Sequence, residues 1–348
     1  MFASPIAILA RKYSEIFGKG LRAETIHSAF KVPIDDNQQY STSYSLNKYN
    51  VLVIDEASMI SREVFNFIAA TLNRMMLRPV VVITGDRCQQ PPLATVQGRT
   101  TTVTSVLNDD TFTKNAVKFS LYHQLRCIDP AYINFLNHIR YVQPLQDYLD
   151  RFQTGHVCIT TDQPSQDQLW NALVEHRDYV VYTVSRAACS RINNLVLTRS
   201  FQEAVPICST TTCFQCIRQH EGPCHPKQRQ RRWSCERTNW NSGVKREQHR
   251  PATPENRQLA FAHPVTKVLK DGSARVVYPF TPGYAVTICK CQGDNLGKVL
   301  LWLDCPLVPE RTAYVGLSQV KRFNDIIFMT SLLSSQLKPV NIHAATQT

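Results

Sequence analysis

The 348-residue sequence predicts an α/β fold of two halves, each built on a parallel sheet, with a compositionally distinct segment set into the second half. Three observations predict it. Residues 51–84 read strand, helix, strand, which is a βαβ unit and implies a parallel sheet with helices on its faces. The same kind of pattern returns after residue 178, in four further apolar runs. Between them, residues 201–274 are rich in Cys, Arg, Gln and Thr and poor in periodic apolar positions, as expected of an insertion.

Taken in order, Val51-Leu52-Val53-Ile54 is a short, fully apolar run ending in acids, the pattern of a buried parallel strand. Val64, Phe67, Ile68, Leu72 and Met75 then recur at helical spacing, with Ser61 placed to cap the helix. Val80-Val81-Val82-Ile83-Thr84 reads as a second buried strand. In the second half, residues 179–182 form a strand, and Ser185 opens a helix carrying Ala188, Ile192 and Leu195. Residues 284–288, 299–303 and 326–329 complete the set as strands of the same second sheet.

Composition narrows the class of protein. The chain has 39 basic and 27 acidic residues, so 39 − 27 gives +12, which favours a polyanionic partner, nucleic acid before a membrane surface. A hydrophobic content of 43% excludes disorder along the whole chain. No apolar run approaches the roughly 18 residues of a membrane span. The apolar stretch at the N-terminus is short and is followed, not preceded, by Arg11 and Lys12, so it does not read as a cleaved secretory signal. Most of the twelve cysteines are therefore expected as reduced thiols in an intracellular protein.

The residues that carry chemistry sit at strand ends. Asp55 and Glu56 follow a buried strand directly, where open α/β sheets bind ligands. In a nucleotide hydrolase one such acid holds Mg²⁺ and the other activates water. The competing reading is that both acids simply cap the following helix. The next strand also ends in a polar turn, Thr84-Gly85-Asp86-Arg87-Cys88-Gln89-Gln90-Pro91-Pro92, which alone would be a tight turn stiffened by prolines. The two strand ends together make a constellation that neither makes alone.

These residues also carry a resemblance. VLVIDEAS and ITGDRCQQPP resemble motifs II and III of superfamily 1B DNA helicases of the petite-integration-frequency (Pif) type, relatives of RecD. Residues 25–33, TIHSAFKVP, resemble the segment after motif Ia, and residues 121–126, LYHQLR, resemble motif IV. Residues 185–193 resemble the helix opening the second domain; residues 285–293, AVTICKCQG, resemble motif V, and residues 314–320, YVGLSQV, resemble motif VI. The resemblance implies two RecA-like domains: residues 1–126 as the first, 127–177 as a helical connector, 178–200 with 275–348 as the second, and 201–274 as the insertion. It implies an ATP-dependent helicase using ATP and Mg²⁺, moving 5′ to 3′ on single-stranded DNA, or on DNA with a single-stranded tail, in replication, recombination or repair. Asp55 would hold Mg²⁺, Glu56 would be the general base, Gln89 would read the γ-phosphate, and Arg126 would be an arginine finger. Thr287, Lys290, Gln292 and Gly293 would contact DNA phosphates and the nucleotide. Ser4, Pro5, His27 and Lys31 would line the single-strand track. For His27 the competing reading is an ordinary core or helix-end histidine.

The sequence departs from that family in two places. It contains no G-x-x-x-x-G-K-[ST] loop. Around Gly18-Lys19-Gly20, Tyr13 stands where the first glycine would be and Gly20 where the metal-binding hydroxyl would be, so this segment reads as a turn between a helix and a strand. Since Phe2-Ala3-Ser4-Pro5 already resembles motif Ia, the family's first strand and phosphate loop are expected upstream of Met1. The motif VI arginine is replaced by Gln319, whose amide cannot supply charge to a phosphoryl transition state. A non-catalytic, helicase-derived DNA-binding protein is the alternative these departures leave open.

In the insertion, Cys213-x-x-Cys216 has the spacing of half a zinc site, which Cys224 or Cys235 with a histidine would complete; free thiols are the alternative. Residues 218–250 hold nine Lys or Arg against three acids, giving +6. The run 227–233, KQRQRRW, fits a phosphate grip with Trp233 stacking on a base, a nuclear import signal, or a solvated loop.

Overall fold

The computed structural model describes residues 1–33, 44–96, 99–121, 124–200, 204–206, 215–217, 265–268, 274–277, 283–293 and 297–339. Two units separate: residues 1–195 with 285–348, and residues 196–284. The first unit holds two parallel sheets.

The first sheet is four-stranded, in the order β2-β1-β3-β4, with β1 Phe2–Ser4, β2 Ala23–Thr25, β3 Val51–Ile54 and β4 Val80–Ile83, all parallel. Helix α1, Ala7–Phe17, links β1 to β2, and the Gly18-Lys19-Gly20 segment is a single 3₁₀ turn between α1 and β2. Thr25 caps α2, Ile26–Phe30, by accepting from the Ser28 amide. Ser61 caps α3, Arg62–Asn73, by accepting from the Val64 amide at 3.3 Å. One face of the sheet is dry. Leu52 and Ile54 of β3 pack there with Ile26, Phe30, Leu46, Ile60, Ile68 and Val106.

The expectation of two buried strands fails on β4. Val80 and Val82 are 63% and 42% exposed, because β4 is the last strand of the sheet and their side chains share the opposite face with Val51. An apolar run shows that a strand belongs in a sheet; it does not show where in the sheet it lies.

Two antiparallel strands, β5 Leu93–Val96 and β6 Arg99–Thr102, follow, then the short helix α4, Asp110–Asn115. Helices α5, Pro130–Tyr141, and α6, Gln146–Phe152, lead to β7, Val157–Ile159. Helix α7, Gln166–Glu175, then β8, Val180–Thr183, and α8, Arg186–Ser200, come next. The second sheet has the order β13-β8-β14-β15-β7, where β13 is Ala285–Thr287, β14 Val299–Trp302 and β15 Ile326–Thr330. Residues 127–177 were expected to be helical; they also supply β7, whose three residues are too few to show a periodicity. The run 284–288 ends earlier than expected, because Ile288 opens a helical turn, α9, Ile288–Cys291.

The core of this second sheet is thicker. Val299, Leu300 and Leu301 of β14 are each 1% exposed or less, so both faces are covered. Helix α10, Thr312–Leu317, is buried at every position, and the Tyr132 hydroxyl of α5 donates to the Leu317 carbonyl at 2.7 Å. Phe135, Phe152 and Phe323 stack between the helices and β15.

The second unit contributes two antiparallel pairs, β9 Ala204–Pro206 with β10 Gln215–Ile217, and β11 Val265–Val268 with β12 Ala274–Val277. Cys216 lies in β10; Cys213, Cys224 and Cys235 and the basic run 227–233 lie outside the described residues. No described helix is long and apolar enough to cross a membrane. Cys88, Cys127, Cys158, Cys189, Cys289, Cys291 and Cys305 are free thiols.

Candidate active site between the two sheets

The C-terminal ends of β3 and β4 are tied together first. The Ala57 amide donates to the Thr84 carbonyl and the Thr84 amide to the Ile54 carbonyl, each at 2.9 Å. Gly85 permits this approach: a Cβ there would stand 3.0 Å from the Ala57 nitrogen. Between them the chain turns sharply through Glu56, whose backbone is left-handed at φ 57°. A left-handed, non-glycine residue costs about 1–2 kcal/mol, and such strain concentrates at functional sites.

Asp55 and Glu56 point to different surroundings. Both carboxylate oxygens of Asp55 accept hydroxyl hydrogen bonds, one from Thr84 at the end of β4 and the other from Tyr13 on α1. Burial and the two acids push the Tyr13 phenol far above its ordinary value, so it stays a neutral donor. Glu56 is 8% exposed and is held from the other sheet: Gln292, just after α9, donates to its Oε2 at 2.7 Å. Burial pushes the Glu56 carboxyl up to about 7; the Gln292 amide and the Arg126 charge oppose that rise, while Asp55 and Asp86 add to it.

The Gln292 nitrogen also lies 3.0 Å from Ser58 Oγ and 2.9 Å from Gln89 Oε1. Three acceptors thus surround a group with two hydrogens, and Gln292 Oε1 is buried without a hydrogen-bond partner. Gly293, at φ 76°, lets the chain pass Glu56: a Cβ would stand 2.9 Å from Glu56 Oε1. A second bridge runs from Gln90 Nε2 to Thr312 Oγ1 at 3.0 Å.

Arg126 approaches from the segment before α5. Its Nη1 donates to the Ser318 carbonyl at 3.1 Å and to Gln319 Oε1 at 3.3 Å. Gln319 is buried and anchored by its own Nε2 to the Val315 carbonyl at 2.9 Å, so its amide accepts from Arg126.

The remaining candidates are placed less centrally. Ser4 is wholly buried, its hydroxyl accepting from the Ile6 amide, and Pro5 is half-buried beside it. His27 and Lys31 are exposed at the two ends of α2, with Lys31 left-handed at φ 58°. Thr287 is buried at the start of α9, and Lys290 is half-buried on it. Sequence reasoning passed over Arg140, whose Nη2 binds Asp86 Oδ1 at 2.7 Å while its Nη1 donates to the Tyr314 hydroxyl at 3.2 Å. It also gave Tyr13 no role on Asp55. A helical position facing a strand end was the only signal for either residue.

Among the described residues no three His, Cys, Asp or Glu side chains cluster closely enough to hold a metal alone. A nucleotide-borne Mg²⁺ needs less, one or two carboxylates besides the phosphates, and the hard oxygen donors of Asp55 fit that demand.

Residues 18–161 match the family model of the PIF1-like helicases. Over that stretch the chain is similar to the PIF1-like helicases. It contains β3, β4, the acid pair, Gln89 and Arg126. No curated protein sequence matches the chain significantly. Solved Pif1 helicases share its fold. The Bacteroides Pif1 in complex with ADP-AlF3 and single-stranded DNA aligns at a TM-score of 0.62 and 18% identity, over 100% of this chain and 86% of that one. The Candida albicans Pif1 aligns at 0.60 and 16%, over 98% and 92%. A structure of two coordinating Pif1 helicases at forked double-stranded DNA aligns at 0.61 and 17%, over 100% and 85%. At these identities the likeness speaks for the fold, a pair of RecA-like α/β halves, and the PIF1-like sequence match over residues 18–161 includes the acid pair.

Proposed function

We propose that the chain is the core of an ATP-dependent DNA helicase that translocates 5′ to 3′ on single-stranded DNA. The observation that carries the reading is the bridge from Gln292 of the second sheet to Glu56 and Gln89 of the first, which puts a titratable acid in the seam between two RecA-like halves. A carboxyl raised to about 7 is matched to accepting a proton from water near neutral pH.

In this reading Asp55 holds Mg²⁺, which supplies charge neutralisation to the phosphates when bound. Glu56 orients and deprotonates the attacking water. Gln89 senses the terminal phosphate, and because Gln292 is bonded to Gln89 and Glu56 together, a change at either reaches α9. Arg126, steadied by the Ser318 carbonyl and Gln319, brings its guanidinium to the transferring phosphoryl group. His27, Lys31 and Lys290 supply contacts to DNA phosphates, and the net charge of +12 favours that polyanion. In residues 201–274, Cys213 and Cys216, with Cys224 or Cys235 and a histidine, would hold zinc, checked by the zinc content of the wild type against Cys213→Ser.

The sequence lacks a glycine-rich phosphate loop, so the test compares this chain with one extended upstream through its reading frame. DNA-stimulated ATP hydrolysis that falls at least about a hundredfold in Glu56→Gln supports the helicase. If neither chain hydrolyses ATP while both bind DNA in a salt-sensitive manner, the non-catalytic DNA-binding reading replaces it.

A further inference from the structure

We propose that Tyr13 is a resident competitor for the metal position on Asp55, an autoinhibitory cap that a divalent cation must lift. The inference rests on reading Asp55 as the metal-binding acid.

Each oxygen of the Asp55 carboxylate already carries a hydroxyl donor, so a cation, or a water bound to it, meets an acid whose charge is shared with two protein groups. The two donors differ in how firmly they are fixed. Thr84 is part of the sheet, its amide bonded to the Ile54 carbonyl and its carbonyl to the Ala57 amide, so its hydroxyl stands beside Asp55 for as long as β3 and β4 pair. Tyr13 reaches Asp55 across 42 residues of sequence, from a helix, through two side-chain torsions. Its ring is kept in reach by Phe2, tilted against it at 5.3 Å, and by Phe17, stacked at 6.0 Å. Phe2 and Phe17 also stack on each other at 4.7 Å, so the pair persists when the phenol withdraws.

A cap of this kind has two states. In one, the hydroxyl donates to Asp55; in the other, the ring rests against Phe2 and Phe17 and the carboxylate is free for a cation. A cation that binds only the free carboxylate shifts the population toward the second state, and its apparent affinity is lowered by the free energy of the one charge-assisted hydrogen bond it must displace.

The probe is Mn²⁺ alone, titrated by electron paramagnetic resonance into the whole chain as wild type, Tyr13→Phe and the Tyr13→Phe/Asp55→Asn double variant. Phenylalanine keeps the stack and removes only the hydroxyl. A hydrogen bond to a charged group corresponds to about tenfold in affinity, so Tyr13→Phe should bind Mn²⁺ about tenfold more tightly than wild type, and the double variant should lose that site. Equal affinity in wild type and Tyr13→Phe, with both sensitive to Asp55→Asn, overturns the cap and leaves the metal role of Asp55 standing. Binding indifferent to Asp55→Asn in every variant overturns the metal role and the cap with it. If Tyr13→Phe does not keep the wild-type circular dichroism, Tyr13→Met, which fills the same stack without a hydroxyl, is measured in its place against the same outcomes.

Discussion

The two parallel sheets read alike as sequence and are buried very differently. In the second, β14 is flanked by β8 and β15, and its side chains vanish into packing on both faces. In the first, β4 pairs with β3 alone, and Val80 and Val82 stand in solvent with Val51. Register explains the pattern. Val51 pairs with Val80 and Val53 with Val82, so these four share a face, and Phe2, paired with Val53, shares it too. Helix α1 covers Phe2 through Tyr13 and Phe17 but leaves Val80 and Val82 open. Apolar side chains beyond the sheet are exposed as well, with Phe119 at 88% and Leu121 at 97%. One half is a closed, two-faced core; the other concentrates its packing on a single face.

The largest expected effect breaks the closed half. Leu301→Ala removes a side chain 1% exposed at the centre of β14, and should cost about 4 kcal/mol in urea unfolding, at the upper part of the range for buried leucines. The second effect lies in the seam. Glu56 binds its proton more tightly folded, at about 7 against an ordinary 4.5, so the folded state holds more protons between those values and stability falls as pH rises through them. The fall should total about 3 kcal/mol and be complete above about pH 7. Denaturation midpoints from pH 4 to 8 should show that slope in wild type and a flatter one in Glu56→Gln; parallel slopes would mean the carboxyl is not desolvated.

Gly293→Ala comes next. It asks a left-handed position to accept a Cβ that meets Glu56 Oε1 at 2.9 Å, and about 2 kcal/mol of stability should be lost. Thr312→Val leaves the buried Gln90 amide without its acceptor, for about 1 kcal/mol by thermal melting. The smallest effect sharpens the contrast. Val82→Ala, chemically as drastic as many core truncations, should cost less than about 1 kcal/mol, because its side chain is already 42% in water. A loss as large as that of Leu301→Ala would mean that the open face of the first sheet is covered in solution.

The strands at 51–54, 80–83, 299–302 and 326–330 were legible because a run of branched apolar residues bounded by polar turns has few other uses. Ser61 as a cap was equally local, since an N-cap bonds only two or three residues away. The acids at the end of β3 were legible for the same reason. Their partners were not. Tyr13 reaches Asp55 over 42 residues, Arg140 reaches Asp86 over 54, and Gln292 reaches Glu56 over 236.

By itself, then, the sequence determined which segments become strands and helices, that the sheets are parallel, and that Asp55 and Glu56 stand at a strand end. Those features depend on neighbours within a few residues, or on the length of chain a parallel crossover requires. Only the tertiary structure decided that β4 lies at the edge, that Glu56 is desolvated beneath Gln292, and that Tyr13 and Thr84 share Asp55. Strand order and the seam between two halves bring together residues that no sequence period relates, and burial, which sets the proton affinity of Glu56, exists only once both halves have closed on it.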